Sequence, residues 1–416
     1  MPTDPLDPAA WQAELNAVKL RLGPLFGRKD ARDQAMLYLD GLLGAVERKN
    51  GWQLAEYVGD ARPWRTQRVL SQARWDQDAA RDLCRAYAIG QLGDPDGVLV
   101  IDETGFVKKG AKSAGVARQY SGTAGRVENC QIGVFLAYAS RHGHALIDRA
   151  LYLPEGWSED PARRAAAAIP AEVEVTFATK PALAIRMIER ALEAGVPCSW
   201  GLGDEIYGSD RRLRMALEQR GKPFVLAVRG NEKLWSWRDG GMGQHAAAAL
   251  AVAVPEEGWQ RLSAGAGSKG ERLYDWARVR LVRLQEPPWD HWLLIRRNRK
   301  DPEDLAYYVV FGPAETSLAT LARVAGRRWA IEECFEAAKQ ETGLDGYEVR
   351  SWHGWYRHIT LPMLALAFLA VLRAKLQPQK GAAFRVGLPV WCRSACRSFA
   401  GSSPACGRHS GHPIAA

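Results

Sequence analysis

Three acidic residues that are far apart in the sequence could together hold a divalent metal ion. Asp102 follows four consecutive apolar residues that predict a buried strand, and Asp204 ends a second, short strand. Glu332 lies in a stretch of good helix formers that runs from Gly326 to Lys339, and Gly343 is placed to end that helix. Ionised carboxylates are costly to bury, whereas Mg²⁺ takes oxygen ligands and is commonly held by one or two carboxylates together with substrate phosphates. A metal site would explain why a buried sheet places acids at its strand ends.

Two cations flank Glu332 at helical spacing. Arg328 lies four residues before it, and Lys339 lies eleven residues after Arg328. At about 100° per residue, these offsets bring all three side chains onto one face of a helix. Such a triplet is typical of a salt-bridged surface or of a metal ligand beside a phosphate clamp. The two acids upstream favour the second interpretation.

The order of these motifs resembles that of the DDE transposases of bacterial insertion sequences, in the branch with a Tyr-Arg-Glu-Lys signature. The resemblance covers roughly residues 10 to 375 and includes three further stretches: Ile101–Phe106, Arg118–Gly122 and Gly346–Arg350. One position departs from the signature, because its tyrosine would fall at Ala325. Either another aromatic, such as Trp329, takes over the contact with a phosphate or base, or the clamp is weaker here.

The resemblance implies a transposase that cuts element ends and joins them to target DNA. Two Mg²⁺ ions, for which Mn²⁺ can substitute, would support an in-line phosphoryl transfer. Asp102 would bridge both ions, and Asp204 and Glu332 would each complete one. The neighbouring Glu103 points to the opposite face of its strand, which argues against it as a ligand. Arg328 and Lys339 would hold the phosphates that flank the scissile bond. The implied partners are double-stranded DNA, as element ends and as target, and a second copy of the chain in a homodimeric DNA complex.

Other cations and aromatic residues are predicted to contact DNA, each with an alternative. A lysine-rich turn could touch phosphates or could be an ordinary soluble turn. A tryptophan pair could stack on a flipped base or could fill a core. The segment from Gly51 to Trp75 could be a helix–turn–helix whose arginine-bearing second helix, Trp64 to Trp75, enters the major groove, or it could belong to a plain helical bundle. These predicted contacts are Lys108, Lys109 and Lys112 in the turn, Trp235, Trp237 and Trp329 among the aromatics, and Arg65 and Arg68 on the helix.

The element pattern predicts an α/β protein with a ribonuclease H-like catalytic core. Strand-like runs come first and are followed by alternating helices and strands. The distance of 128 positions from Asp204 to Glu332 exceeds the need of a bare core, so a β-rich insertion is expected. The predicted organisation is a helical DNA-binding domain (1–95), the first part of the core (96–232), the β-rich insertion (233–312), the second part of the core with the catalytic helix (313–376), and a basic disordered tail (377–416).

Composition favours a globular protein with a polyanionic partner. The chain has 416 residues and a formal net charge of +9. Seven cysteines without a regular framework indicate reduced thiols, and the acidic N-terminus is unlike a signal peptide. The longest uncharged apolar run, of 14 residues from Ile359 to Leu372, is too short to span a bilayer. These features predict a cytoplasmic, nucleoid-associated protein without a membrane partner.

The C-terminal end is unusual and keeps two other functions open. Residues 351–416 contain eight Lys or Arg residues and no acidic residue. The cysteines and histidines from Cys392 to His412 fit no established zinc spacing, so a disordered tail is predicted instead. Besides an active transposase, the sequence allows a ribonuclease H-like nuclease that cuts DNA without strand transfer. It also allows an inactive DNA-binding relic, in view of Ala325 and the tail.

Overall fold

The computed structural model of this chain describes residues 7–171, 177–238, 240–267, 270–283 and 287–376. Its helices are α1 (Pro8–Leu22), α2 (Lys29–Leu43), α3 (Gly51–Tyr57), α4 (Trp64–Ser71), α5 (Gln77–Leu92), α6 (Glu155–Ser158), α7 (Pro161–Ala166), α8 (Lys180–Glu193), α9 (Glu205–Gly208), α10 (Arg211–Gln219), α11 (Ala247–Val252), α12 (Leu318–Gly326), α13 (Ala330–Thr342) and α14 (Trp352–Leu376). Its strands are β1 (Val98–Val107), β2 (Ala117–Ser121), β3 (Arg126–Ser140), β4 (Gly143–Leu151), β5 (Trp200–Gly203), β6 (Phe224–Val228), β7 (Lys233–Arg238), β8 (Gly241–Ala246), β9 (Gln260–Gly267), β10 (Gly270–Arg280), β11 (Trp289–Arg297) and β12 (Leu305–Pro313).

A mixed sheet forms the centre of the described structure. The strand order is β2-β3-β1-β5-β6-β12-β11-β10-β9, and β4 also pairs with β3. β1 runs antiparallel to β3 and parallel to β5, which in turn is parallel to β6. Strands therefore come first and alternate later with α8 and α10. The predicted α/β class, with a ribonuclease H-like core and a helical N-terminal part, is confirmed.

The β-rich segment that the sequence places at 233–312 contributes to the same sheet. β12 pairs antiparallel with β6, and β11, β10 and β9 follow outward from it. β7 and β8 instead form a two-stranded sheet of their own. The segment is thus rich in strands, as expected, and most of its strands extend the sheet that carries β1. The domain boundaries remain predictions.

Both faces of the sheet are covered by helices near β4. Arg149 of β4 donates a hydrogen bond from Nε to Thr360 of α14, at 3.0 Å. Its neighbour Asp148 pairs with Arg190 of α8, also at 3.0 Å. Because successive residues of a strand point to opposite faces, α14 lies on one face and α8 on the other. The sheet is therefore a middle layer, and β1 is buried inside it.

By length and composition alone, α14 could cross a membrane, and it is the one such helix in the described residues. Its most apolar window has a mean hydropathy of 1.8, and 72% of that window is buried inside the protein. α14 packs against β4, α5 and α13. The predicted role of the apolar run within it, as a buried core helix, agrees with these contacts.

The helical N-terminal part contains the predicted helix–turn–helix as α3 and α4. The second helix ends at Ser71, four residues before the predicted end at Trp75. Trp75 instead donates from Nε1 to the Val69 carbonyl and packs on Phe26, with ring centroids 5.0 Å apart. Burial of this indole against Phe26 thus draws the chain out of the helix, and α4 is two turns long.

The end of α12 is pressed against the strand β9. A Cβ atom on Gly326 would lie 1.9 Å from the carbonyl oxygen of Ala264. Arg272 of β10 donates to both backbone carbonyls, at 2.9 Å to Ala264 and 3.1 Å to Gly326. Only a residue without a side chain fits this contact, which fixes where the chain turns from α12 toward α13.

We expect Gly326→Ala to destabilise the protein by about 1–3 kcal/mol, because the new methyl group must push β9 away from α12. Gly90→Ala in α5 is the matched control, since no atom lies within 4 Å of a Cβ atom there. That variant should stabilise the protein by about 0.5–1 kcal/mol, through the lower backbone entropy of alanine in the unfolded chain. Urea denaturation measures both, and equal midpoints for the two variants would contradict the described packing.

Candidate functional site

Asp102 lies in the middle of β1, not at the end of a strand as the sequence predicts, because β1 continues to Val107 in its pairing with β3. It lies on the face of the sheet that α13 covers. It is directly opposite Phe135 of β3, and directly opposite residues on paired strands point to the same face. The ring of Phe135 packs against Phe335 of α13, with centroids 5.4 Å apart. Asp102 therefore points toward the helix that carries Glu332.

The adjacent acid, Glu103, points to the other face of β1. Lys180 of α8 contacts its carboxylate at 2.6 Å, and the hydroxyl of Tyr207 donates to it at 2.5 Å. These two partners satisfy both carboxylate oxygens from within the protein. The contacts support the prediction that Glu103 is not a metal ligand.

Asp204 lies beside Asp102, at the end of the neighbouring parallel strand. Ile101 of β1 pairs with Gly203 of β5, and Asp102 and Asp204 are the residues that follow them in the chain. Neighbouring strands are about 4.8 Å apart. Asp204 also caps α9, since its Oδ1 accepts hydrogen bonds from the backbone of Ile206 at 2.9 Å and of Tyr207 at 3.4 Å. Capping uses Oδ1 and leaves Oδ2 able to accept another partner.

Arg328 joins the third acid to Asp102. The sequence predicts one helix from Gly326 to Lys339, but a 3₁₀ turn at Arg327–Trp329 separates α12 from α13. From that turn, the guanidinium of Arg328 lies 2.8 Å from Glu332 Oε1 and 3.6 Å from Asp102 Oδ2. Arg328 and Glu332 therefore lie on one face, as their spacing predicts, and they form the salt bridge of the alternative interpretation. One guanidinium contacts acids from both β1 and α13.

The C-terminal end of α13 agrees with the sequence. Gly343 caps the helix in the left-handed conformation, at φ +67°, which favours glycine. Lys339 lies four residues before this cap. Its ammonium contacts β1 and the turn between β2 and β3, since Nζ donates to Thr104 Oγ1 at 2.8 Å and to Thr123 Oγ1 at 3.1 Å. Arg328 and Lys339 therefore both contact groups at or next to β1.

Negative charge is in excess around Asp102. Burial, followed by the nearby charge of Asp204, raises the pKa of Asp102 to about 8, and the guanidinium of Arg328 only partly opposes this rise. Burial and the charge of Glu103 also raise the pKa of Asp204. A partly buried pair of carboxylates with raised pKa values is typical of a functional site, since a structural pair would be expected to have enough cationic partners.

Sequence comparison identifies the family. The model of the DDE superfamily endonucleases matches residues 21–277, which include both Asp102 and Asp204. The chain belongs to this family. Arg328, Glu332 and Lys339 lie beyond the matched residues, so their assignment rests on the spacing and on the contacts described above.

A curated relative points in the same direction. Over 202 residues the chain is 26% identical to a probable transposase for insertion sequence element IS701 from Microchaete diplosiphon. The aligned part covers 48% of this chain and 49% of the relative, so the chain matches about half the length of that protein. Together with the family match, this confirms the predicted resemblance to DDE transposases of insertion sequences.

Divalent metal ions are the cofactors that the DDE family implies, and the acids of the site fit such an ion. Asp102 and Asp204 are adjacent oxygen donors with more negative charge than Arg328 offsets, and hard cations prefer such donors. Within the described ranges, however, no three side chains of Asp, Glu, His or Cys are already gathered as a ligand set. Glu332 is turned to Arg328 instead, so it would have to exchange this partner to join Asp102 and Asp204 as a ligand.

The predicted basic turn after β1 divides into two parts. Lys109 and Lys112 are exposed. Lys108 is engaged by the protein, since Nζ donates to the Tyr347 carbonyl at 3.2 Å and lies 3.4 Å from the centroid of the Tyr347 ring. Burial lowers the pKa of Lys108 to about 8. Of the three lysines, Lys109 and Lys112 are the better placed for phosphates, and all three contacts stay predictions.

The predicted aromatic contacts point outward. Trp235 and Trp237 on β7 are 48% and 68% exposed, whereas the residues between and before them, Ser236 and Leu234, are buried. Trp329, next to Arg328, is 49% exposed. Outward rings on a two-stranded hairpin favour binding over the alternative of a hydrophobic core, and the contact with a base stays a prediction.

The predicted arginines of the helical part lie on an exposed groove. Arg65 and Arg68 project from α4, and Arg65 pairs with Asp60 at 2.9 Å. With Arg28 and Arg74 they line a cavity of about 570 Å³ between the start of α2 and α4. The groove offers the local basic stripe that a phosphate backbone would require. Binding of DNA there remains a prediction.

The sequence reasoning missed the two threonines that hold Lys339. Thr104 lies two residues after Asp102, and strand alternation alone places both on one face, so this contact could have been found. Thr123 lies in the turn between β2 and β3, where no pattern in the sequence signals an approach to α13. Arg272 was also missed, because its contact with the end of α12 depends on how β9 and β10 extend the sheet.

Proposed function

We propose that this protein is a DNA transposase that cuts insertion-sequence ends and joins them to target DNA. The observation that carries the proposal is the adjacency of Asp102 and Asp204, with Arg328 holding Glu332 near Asp102. These acids come from two neighbouring strands and one helix, and Arg328 links Glu332 to Asp102. The membership in the DDE superfamily endonucleases and the likeness to a probable transposase support the same chemistry.

Each residue of the site has a proposed role. Asp102, Asp204 and Glu332 would hold Mg²⁺, which when bound activates the attacking oxygen and stabilises the leaving oxygen of a phosphoryl transfer. Arg328 and Lys339 bind the phosphates that flank the scissile bond and orient them against β1. The threonine pair at positions 104 and 123 fixes the ammonium of Lys339. Positioned cations of this kind act by stabilising the charge that develops in the transition state.

DNA would lie along the face from which these cations project. Lys109 and Lys112 extend from one side of the site, Trp329 adjoins Arg328, and the groove at Arg65 and Arg68 offers a further phosphate contact. Since a mobile element has two ends, a homodimer in the DNA complex is part of the proposal. Cytoplasmic action at the nucleoid is proposed as well, and the four free cysteines in the described residues, at positions 84, 130, 198 and 334, agree with a reducing compartment.

Cleavage and joining assays separate the three candidate functions. Labelled DNA that carries the element ends is incubated with the protein and Mg²⁺, and a target plasmid is added in a second arm. A transposase cuts the ends and joins them to the target. Cutting without joining would indicate a nuclease, and binding without cutting would indicate a relic, so either result would overturn the proposal.

The exposed hairpin formed by β7 and β8 gives a test of the DNA contacts. We expect Trp237→Ala to weaken the binding of element-end DNA by about 5- to 150-fold, because a stacked base contributes roughly 1–3 kcal/mol per aromatic ring. Because Trp237 is exposed, the variant should have the melting temperature of the wild-type protein. Leu20→Ala, an apolar residue that is 79% exposed on α1, is the control. Equal affinities of the two variants in a fluorescence-anisotropy titration would remove Trp237 from the binding surface.

A further inference from the structure

A buried histidine connects the helical N-terminal part to the end of the catalytic helix. His358 of α14 is fully buried. Its Nε2 lies 3.1 Å from the carbonyl oxygen of Gly343, and its Nδ1 lies 2.8 Å from the hydroxyl of Tyr38 in α2. Burial lowers the pKa of His358 to about 3, so the ring is neutral at physiological pH.

The carbonyl fixes the direction of this hydrogen-bond chain. A carbonyl oxygen can only accept, so Nε2 carries the proton and donates to Gly343. The other nitrogen, Nδ1, must then accept, and the hydroxyl of Tyr38 donates to it. Both Tyr38 and His358 are buried, which makes each link sensitive to the loss of its partner.

Gly343, whose carbonyl accepts the hydrogen bond from His358, is packed tightly. Gly343 is the left-handed cap of α13, and a Cβ atom there would lie 2.4 Å from Cβ of Lys49. Lys49 belongs to the segment between α2 and α3, and its ammonium donates to the carbonyls of Leu42 and Gly44 at the end of α2. The end of α2 and the end of α13 are therefore held together by close packing as well as by hydrogen bonds.

This junction is one turn from Lys339. The helix α2 also packs against α4, which carries Arg65 and Arg68, and Gln34 of α2 contacts Thr66 of α4 at 3.3 Å. A single helix thus contacts both the proposed DNA-binding groove and the end of α13. A shift of α2 would change where α13 ends, and with it the place of the Lys339 ammonium between Thr104 and Thr123.

We propose that Tyr38 and His358 are positioning residues, which hold the C-terminal end of α13 to α2 and so keep Lys339 aligned for phosphate binding. The inference rests on the proposed function for the role of Lys339. It goes beyond that function because it assigns part of the alignment of the cleavage site to the helical N-terminal part. Apolar groups of the same shape could replace a fully hydrogen-bonded buried network without loss of stability. We therefore assign to Tyr38 and His358 a role in fixing the position of α13 and not in stabilising the fold.

Tyr38→Phe tests the chain, because it removes one hydroxyl and leaves the ring in place. Tyr87→Phe is the matched control, since Tyr87 is an equally buried tyrosine of the helical part whose hydroxyl donates to Glu14 at 2.9 Å. We expect Tyr38→Phe to slow single-turnover cleavage by about 2- to 30-fold without changing the affinity for element ends. Tyr87→Phe should leave the rate within about 2-fold of the wild-type protein.

A double-mutant cycle assigns the effect to Lys339. In a Lys339→Ala background, the additional Tyr38→Phe change should alter the rate by less than about 2-fold, because the aligned group is already gone. An undiminished effect of Tyr38→Phe in that background would overturn the proposal. So would equal rates for the Tyr38→Phe and Tyr87→Phe proteins.

Hydrogen exchange gives a readout that does not depend on activity. Tyr38→Phe should accelerate amide exchange in residues 339–344, whereas Tyr87→Phe should not. If the wild-type protein does not cleave DNA but this difference is seen, the proposed function fails and the structural connection stands. If exchange is the same in both variants while the wild-type protein cleaves normally, the connection fails and the proposed function stands.

Discussion

Asp102→Asn should abolish DNA cleavage and, in the absence of metal, should stabilise the folded protein at pH 8. Loss of a charged metal ligand is expected to slow cleavage by about 10³-fold or more, while binding of element ends remains. The gain in stability follows from burial, since Asp102 lies beside Asp204 and has a pKa raised to about 8. The amide can still accept the backbone hydrogen bond of Glu103, which Asp102 Oδ1 receives at 2.7 Å.

The direction of the pH dependence follows from the raised pKa. Folded Asp102 retains a proton that the unfolded chain releases, so its contribution to the free energy of unfolding falls as the pH rises from about 4 to about 8. The difference between Asp102→Asn and wild type should therefore be small near pH 4 and reach on the order of 1–3 kcal/mol at pH 8. Urea denaturation at both pH values in EDTA measures it.

Glu205→Gln provides the matched control for Asp102→Asn. Glu205 adjoins Asp204 but is exposed and pairs with Arg229 at 3.3 Å. We expect this variant to cleave DNA at close to the wild-type rate, with no gain in stability between pH 4 and pH 8. Cleavage by Asp102→Asn at a rate similar to that of Glu205→Gln would refute the assignment of Asp102.

The second large effect is expected for the two cations of the site. Arg328→Ala and Lys339→Ala should each slow cleavage by about 10- to 1,000-fold, because each removes a positioned charge from the transferring phosphate. Arg328→Ala also leaves Asp102 and Glu332 without their shared guanidinium. Arg328→Lys should recover only part of the rate, since an ammonium cannot contact two carboxylates in the geometry of a guanidinium.

Arg323→Ala is the control for these two variants. Arg323 is an exposed arginine of α12, near Arg328 in the sequence but directed to Thr320. Its loss should change the cleavage rate by less than about 2-fold. If all three alanine variants retain wild-type rates in single-turnover assays, Arg328 and Lys339 are ordinary surface charges and the proposed clamp does not exist.

Local patterns were sufficient to predict β1 and the opposite directions of Asp102 and Glu103. The apolar run before Asp102 predicts β1, and strand alternation separates Asp102 from Glu103, whose contacts with Lys180 and Tyr207 lie on the other face. The spacing of Arg328 and Glu332 predicts that their side chains share one face, and Gly343 marks the end of α13. Each of these inferences depends on backbone geometry within a few residues, which the sequence encodes directly.

Features that depend on distant contacts could not be predicted in this way. The break between α12 and α13 follows from the close approach of Gly326 to β9, more than fifty positions earlier in the chain. No local pattern in the sequence indicates that β12 pairs with β6, and this pairing places most of the β-rich segment in the main sheet. The hydrogen bond of Thr123 to Lys339 likewise arises from folding of the turn between β2 and β3 toward α13. The predicted tail, 377–416, lies outside the described residues.

Anomalous diffraction from crystals soaked in Mn²⁺ would test the central claim most directly. The account predicts a peak in contact with carboxylate oxygens of Asp102 and Asp204, with Glu332 released from Arg328 when DNA is also bound. The Asp102→Asn protein should lack this peak under the same conditions. A wild-type crystal with Mn²⁺ bound only at other acidic residues, and none beside Asp102, would contradict the account.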